Sequence, residues 1–135
     1  AAAFVANVQT VVSREVKPIH PAVVTVGALN GGTTYNIIPE RAHLKGTVRT
    51  LHAAARDTAE AAIRRLVTGL EATHRVRCAL DYARKVPPLV NDDRVLEPTL
   101  AAVRAQFGAE PVEGEPSMGA EDFAEFAALA PAFQL

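Results

Sequence analysis

Two-residue alternation over ten residues is the feature that most restricts the fold of this chain. In Arg41–Thr50, written RAHLKGTVRT, small or apolar residues occupy every second position, and charged or polar residues mostly occupy the positions between them. Because successive side chains of a strand point to opposite faces, this pattern predicts a strand with one buried and one wet face. The β-branched run Ala22–Leu29 predicts a second strand, and we expect the two strands to pair antiparallel.

Helical patterns flank these two strands. Apolar residues at helical spacing in Ala1–Val16 predict a first helix that ends near Val16, because the residue before Pro18 avoids the helical conformation. Ala53–Thr73 predicts an amphipathic second helix, and Arg75–Ala83 predicts a third strand. The expected fold class is α/β (α+β), with an antiparallel sheet and two helices in the order of a ferredoxin-like unit that lacks its first strand.

The remainder of the chain has a different character. Two consecutive prolines at Pro87 mark a boundary, and a helix is expected over about Val95–Phe107. We place the start of that helix near Pro98, since proline fits the first turn of a helix better than its interior. A short helix is expected from Ala120 to about Leu129.

The predicted domains are therefore residues 1–84 and residues 87–135. The missing opening strand, together with a first residue that is not methionine, predicts a chain cut from a longer protein.

Charge and composition argue against several classes of partner. Fourteen Lys and Arg stand against fifteen Asp and Glu, and five Phe and two Tyr are the aromatic residues, so no nucleic-acid partner is expected. No apolar run approaches the length that crosses a bilayer, so no membrane partner is expected either. The single cysteine, Cys78, lies in an alternating segment that favours a buried, inert thiol. One cysteine without a disulfide partner suits a reducing compartment, and we expect a cytoplasmic location.

The chain offers no complete catalytic set. Its histidines, His20, His43, His52 and His74, do not form a helix pair, and none shares a short segment with another ligand at metal spacing. Surface or capping roles are therefore expected for them, and no metal site. No serine lies in a nucleophile elbow, and the glycine pair at Gly31 is not a phosphate-binding loop.

Three features could still serve a substrate. Asn36 lies between a glycine turn and Pro39, and is either a turn residue bonded to its own backbone or an amide that binds a ligand. Arg49 lies at the end of the alternating strand. It either forms a cross-strand ion pair or binds the carboxylate of a substrate. In the segment PSMGAEDF, Gly119 frees the backbone, and the adjacent carboxylates of Glu121 and Asp122 are explained either by helix capping or by a metal or substrate pocket.

These motifs together resemble a known family. The ordered set GG, NIIP, GTVRT and MGAEDF is similar to the amidohydrolase branch of the zinc aminoacylase and carboxypeptidase superfamily, which includes hippurate hydrolases, N-acyl-amino-acid hydrolases and indole-acetyl-amino-acid hydrolases. The resemblance implies that residues 1–84 are most of a lid domain, through which the protein forms a homodimer. Residues 87–135 would be part of a zinc-peptidase-like catalytic domain that carries two divalent ions, zinc or manganese.

The resemblance also assigns roles to individual residues. It implies that Asn36 and Arg49 contact the substrate carboxylate or the transition-state oxygen, and that such a contact can come from the partner subunit. It further implies that Gly119 and Glu121 line the substrate pocket.

The family's metal ligands are absent from this sequence. They lie in a Cys-x-His motif, a Glu-Glu segment and two further histidines, and none of these patterns occurs here. We therefore expect no metal in this chain and no turnover by it alone. The parent protein would use metal-activated water to hydrolyse the amide bond of N-acyl amino acids or small peptides. The alternative is a non-catalytic α/β module that binds a small carboxylate or a partner, or that serves dimerisation alone.

Overall fold

The computed structural model describes residues 1–108 and 114–134, which form two compact units, Ala1–Ala83 and a second that begins at Arg84. No helix in these ranges is long and apolar enough to cross a membrane. The class is α+β, as expected. The first unit contains α1 (Ala2–Asn7), a π-helical turn (Val11–Glu15), β1 (Ala22–Gly31), β2 (Ala42–Thr50) and α2 (Ala53–His74). The second unit contains α3 (Asp93–Phe107) and α4 (Ala124–Ala127).

β1 and β2 form an antiparallel ribbon, which confirms the predicted pairing. The ladder runs from Ala22 opposite Thr50 to Gly31 opposite Ala42. A bulge at Gly27 interrupts it, because the residues on either side of Gly27 pair with consecutive residues of β2. Side chains of the ribbon alternate between half-buried and exposed over most of its length, as the sequence pattern predicts.

Gly46 lies where the two strands approach most closely. An ideal Cβ built at Gly46 would overlap the carbonyl oxygen of Thr25 on β1. A side chain at this position would therefore push the strands apart or shift the register.

The core lies between the ribbon and the helices. One stripe of α2 is buried and meets three valines of the first helical segment, and the half-buried Val24, Val26 and Val48 of the ribbon pack against this cluster. Burial of each valine contributes about 1.5–3 kcal/mol relative to exposure. The buried members are Val8, Val11, Val16, Ala55, Ala59, Ala62 and Ile63. The buried stripe of α2 confirms the amphipathic pattern predicted for this helix.

The first helical segment is less regular than predicted. The Val16 N–H donates to the carbonyl oxygen of Val11 at 3.1 Å, a bond that spans five residues. In a regular helix two residues five apart would lie about 140° apart around the axis. The wider π turn brings Val16 back to the buried side, and the helical segment ends there as expected.

The predicted third strand is wrong. Residues 76–91 form no strand, although Leu80 and Tyr82 still pack against the core with the exposed Asp81 between them. In a split βαβ arrangement the last strand pairs with the first strand rather than with the central hairpin. No strand among the described residues occupies that place, so the extended segment has a buried face but no ladder.

The prediction of a buried thiol is also wrong. Cys78 is exposed. Its backbone N–H donates to the Glu71 carboxylate at 2.7 Å, which ties this segment to α2 instead of to a neighbouring strand. Without a ladder on either side, the side chains on one face of this segment remain in solvent.

The start of α3 differs from the prediction. The helix begins at Asp93, and Pro98 lies inside it. The carboxylate of Asp92 accepts a bond from the Arg94 N–H at 2.9 Å and caps the helix, a signal that outweighs the proline. Pro98 is exposed and costs this helix one backbone bond, because proline has no N–H to donate.

α4 is shorter than the predicted helix from Ala120 to Leu129. The residues just before it form a tighter turn, in which the Ala124 N–H donates to the Glu121 carbonyl three residues back, at 3.2 Å. Regular helix therefore begins only at Ala124.

We predict that Gly46→Ala destabilises the first unit by about 1–3 kcal/mol, because the new Cβ meets backbone that cannot move without breaking the ladder. Gly27→Ala is the matched control, since its Cβ would meet nothing within 4 Å. Urea unfolding followed by circular dichroism measures both variants. Equal stability of the two variants would contradict the close approach at Gly46.

We predict that the carboxyl group of Asp92 titrates far below an ordinary aspartate. The side-chain hydrogen bond from Arg94 lowers the pKa of Asp92 from 3.8 to about 2. Because the folded-state pKa is the lower one, the stabilisation of α3 is present above about pH 4 and is lost as pH falls towards 2. A carboxyl NMR titration measures this pKa, and Arg94→Ala should return it towards 3.8.

Candidate functional site

Arg49 lies on the outer, exposed face of β2, opposite Val23. The other outward residues of β2 are His43, Lys45 and Thr47, and none of the residues paired with these four carries an acidic side chain. The outer face of the ribbon is therefore cationic, which suits a carboxylate-bearing ligand.

Asn36 lies in the loop at the other end of the ribbon and is exposed. Its Oδ1 accepts a hydrogen bond from the Thr34 hydroxyl at 3.0 Å. Among the described residues its NH₂ group has no hydrogen-bond partner. The Asn36 side chain is thus oriented by the Thr34 hydroxyl and not by its own backbone. Its NH₂ group remains able to donate to a ligand or to a second protein at the loop.

The loop has a defined shape and an apolar tip. Gly32 has a φ of 80°, a conformation that glycine adopts without strain, and it packs near the ring of Pro39. Tyr35 is 100% exposed, Ile37 66% and Ile38 94%, so three large apolar side chains surround Asn36 in solvent. Such a cluster is typical of a contact surface.

The structure does not bring Asn36 and Arg49 together within one chain. Arg49 lies seven residues along β2 from Ala42, which corresponds to about 24 Å of strand. His43 and Lys45, between these points, are exposed, so the loop does not fold back over the outer face. A small ligand held by Arg49 is therefore out of reach of Asn36 of the same chain.

In the second unit, Glu121 has a structural environment. Its carboxylate accepts bonds from the Phe123 N–H at 3.2 Å and from the Gln134 side-chain amide at 3.3 Å. These bonds, led by the one from Phe123, lower the pKa of Glu121 below its ordinary value. The Gly119 N–H donates to the Ser117 hydroxyl at 3.0 Å. Glu121 and Gly119 thus make local hydrogen bonds in the segment before α4, and their role in a pocket stays a prediction.

The residues present do not fit a two-metal centre. Within residues 1–108 and 114–134, no group of three or more His, Cys, Asp or Glu side chains could hold an ion.

The sequence patterns did not reveal the contact between two histidines of the first unit. The rings of His20 and His52 lie with their centroids 4.5 Å apart and their planes at 42°. His20 lies in the turn before β1, and His52 is the N-cap residue of α2, which is one of the roles expected for the histidines. The pairing of the two strands explains this contact. Ala22 and Thr50 form the last pair of the ladder, and each histidine lies two residues beyond that pair.

A second pair was missed in the other unit. The Asn91 side-chain amide donates to the Gln134 carbonyl at 3.0 Å, and its oxygen accepts from the Gln134 N–H at 3.1 Å. No sequence signal links two residues so far apart in the chain.

Comparison with known proteins agrees with this architecture. The profile of the peptidase dimerisation domain of M20 proteins matches residues 2–74. The N-acetyldiaminopimelate deacetylase of Shouchella clausii is 37% identical over 123 residues, which are 91% of this chain and 33% of that protein. The enzyme of the same name from Anoxybacillus flavithermus is 33% identical over 98% of this chain and 35% of its own length.

A solved structure gives the same result. A protein described as an aminohydrolase from methicillin-resistant Staphylococcus aureus superposes with a TM-score of 0.82 at 37% identity, over 96% of this chain and 34% of that one. The chain spans about a third of the length of these relatives. The family resemblance inferred from the motifs is thereby confirmed, and the chain belongs to the M20 amidohydrolase family, with the dimerisation domain at residues 2–74.

Proposed function

We propose that this chain is part of an enzyme that hydrolyses the amide bond of an N-acyl amino acid, with deacetylation of N-acetyldiaminopimelate as the first reaction to test. The observation that carries this proposal is the match, over nine-tenths or more of the chain, to relatives named for that deacetylation. Other N-acyl amino acids and small peptides share the amide and the carboxylate, and they form the wider substrate class.

Arg49 would hold the substrate carboxylate. The guanidinium presents paired N–H donors that match the two oxygens of a carboxylate, and the outer face of β2 adds positive charge around it. In this arrangement the carboxylate end is anchored on the lid, and the acyl amide extends away from it towards the groups that cleave it.

Asn36 would serve the site of a partner protomer. About 24 Å of strand separates Arg49 from the loop, so one ligand can meet both residues only if they come from two chains. The exposed apolar side chains around Asn36 support this, because they give the loop a surface to pack against a second copy. The proposed assembly is a homodimer formed through residues 2–74.

Two divalent ions, zinc or manganese, belong to the proposed enzyme, but these residues do not fit them. The ligands would come from other parts of a longer protein, and so would the step that breaks the amide. What this chain contributes is the binding and orientation of the substrate, together with dimerisation. We also propose that Gly119 and Glu121 border the substrate pocket of the catalytic domain, and that the exposed, unpaired Cys78 reflects a reducing, cytoplasmic location.

We predict that Arg49→Ala, made in the full-length enzyme, lowers kcat/KM by about two to three orders of magnitude, because the anchor of the substrate carboxylate is lost. Lys45→Ala is the matched control, since it removes one positive charge from the same strand and the same face. Initial rates of acetate release from N-acetyldiaminopimelate measure both. Similar small losses of kcat/KM in the two variants would show that Arg49 contributes only general positive charge. Dimerisation would then be the one remaining role proposed for residues 2–74.

We predict that mixing Asn36→Ala and Arg49→Ala protomers restores activity to about a quarter of wild type. Half of the randomly assembled dimers are mixed, and each mixed dimer holds one site with both residues intact. Denaturation and joint refolding of the two variants, followed by the same assay, measures this. Activity no higher than that of the separate variants would show that both residues act within one chain.

A further inference from the structure

We propose that His20 and His52 form a binding site for a divalent transition-metal ion such as Ni²⁺ or Zn²⁺, held by one nitrogen of each imidazole and completed by water. The two residues come together because of the strand register. Each lies two residues beyond the pair Ala22 and Thr50, so the chain segments that leave the ribbon carry them side by side.

The spacing of the rings fits one shared ion. Their centroids are 4.5 Å apart, and the planes are tilted by 42° instead of stacked in parallel. Two imidazoles bound to one ion through nitrogens about 2.0–2.1 Å from it have centroids about 4.5–5 Å apart when they occupy adjacent coordination positions. The separation of the two rings therefore matches the separation that a shared ion requires.

The ring nitrogens are available for coordination. In the part of the chain that the structure describes, neither ring makes a hydrogen bond to protein. His20 is half-buried and His52 is exposed, so water and ions reach the pair. An unpartnered nitrogen on each ring is what a neutral imidazole ligand requires.

The backbone holds both residues in place. The His20 N–H donates to the Lys17 carbonyl at 2.9 Å, which closes the loop before β1. His52 is the N-cap residue of α2, and its carbonyl accepts from the Arg56 N–H at 3.1 Å. Because the two backbone positions are fixed, ion binding orders only the rings, and less conformational entropy is lost.

Nearby positive charges lower the affinity of this site for a cation, and the imidazole nitrogens determine which ion it prefers. Lys17, Arg49 and Arg56 lie within four residues of the pair in the sequence, whereas the nearest acidic residues, Glu15 and Asp57, are each five residues away. Because both ligands are imidazole nitrogens, the site favours Ni²⁺ and Zn²⁺, which bind nitrogen well, over Mg²⁺, which prefers oxygen. Occupancy is therefore expected when metal is added, and not as tight metal retained through purification.

The test is a calorimetric titration of the untagged 135-residue chain with NiCl₂ at pH 7.5, in a Cys78→Ser background that removes the exposed thiol as a competing ligand. We expect one saturable site per chain and, at about ten times the dissociation constant, a thermal midpoint raised by about 5 °C. MgCl₂ at the same concentration should give neither effect.

Variants separate this site from other sources of binding. His20→Ala and His52→Asn should each weaken Ni²⁺ binding at least about tenfold, and asparagine at position 52 keeps a good N-cap for α2. His43→Ala, on the exposed face of β2, is the matched control and should bind as the parent does. Circular dichroism without metal confirms that each variant folds.

Three results would overturn the proposal. They are the absence of saturable Ni²⁺ binding, unchanged affinity in both the His20 and the His52 variants, or loss of binding in His43→Ala. Any of them would leave the pair as a ring contact that joins the start of β1 to the start of α2. The amidohydrolase proposal does not depend on this outcome.

Discussion

The antiparallel register of β1 and β2 determines where each candidate residue of the first unit lies. With Ala22 opposite Thr50, Arg49 must point away from the helices. The same register carries His20 and His52 to neighbouring positions just beyond the ribbon. A slip of one residue would turn Arg49 into the core and separate the rings. The close approach at Gly46 and the bulge at Gly27 hold the register, because each fits only one alignment of the two strands.

The small side chains of the core help to fix the pairing of β1 with β2. Alanines on α2 let the helix lie close to the ribbon and to the first helical segment, and valines fill the space between them. The π turn is part of this fit, since without it Val16 would leave the core and the loop that presents His20 would begin elsewhere. Apolar contacts on the opposite side of the sheet thus set the positions of Arg49, which is proposed to bind the substrate, and of His20 and His52, which are proposed to bind an ion.

The parts of this structure that the sequence predicts are the parts set by local periodicity. Alternation in Arg41–Thr50 places Arg49 outward, and the spacing of apolar residues in α2 identifies its buried face. Two of the failures involve partners distant in sequence. The strand at Arg75–Ala83 needs a neighbour that the alternation cannot supply, and the exposure of Cys78 follows from the same lack. The start of α3 differs for a local reason, because the carboxylate of Asp92 caps a helix that begins at Asp93, five residues before Pro98.

The distance between Arg49 and Asn36 has a consequence for how such a chain can serve an enzyme. One end of the ribbon is cationic and suits an anionic ligand, while the other exposes apolar side chains around an amide with an unused donor. A single small ligand cannot use both ends of one ribbon. Two copies related by a twofold axis can, because each then presents its amide loop where the other holds its carboxylate. On the proposed function, dimerisation would then be a requirement for a complete substrate site.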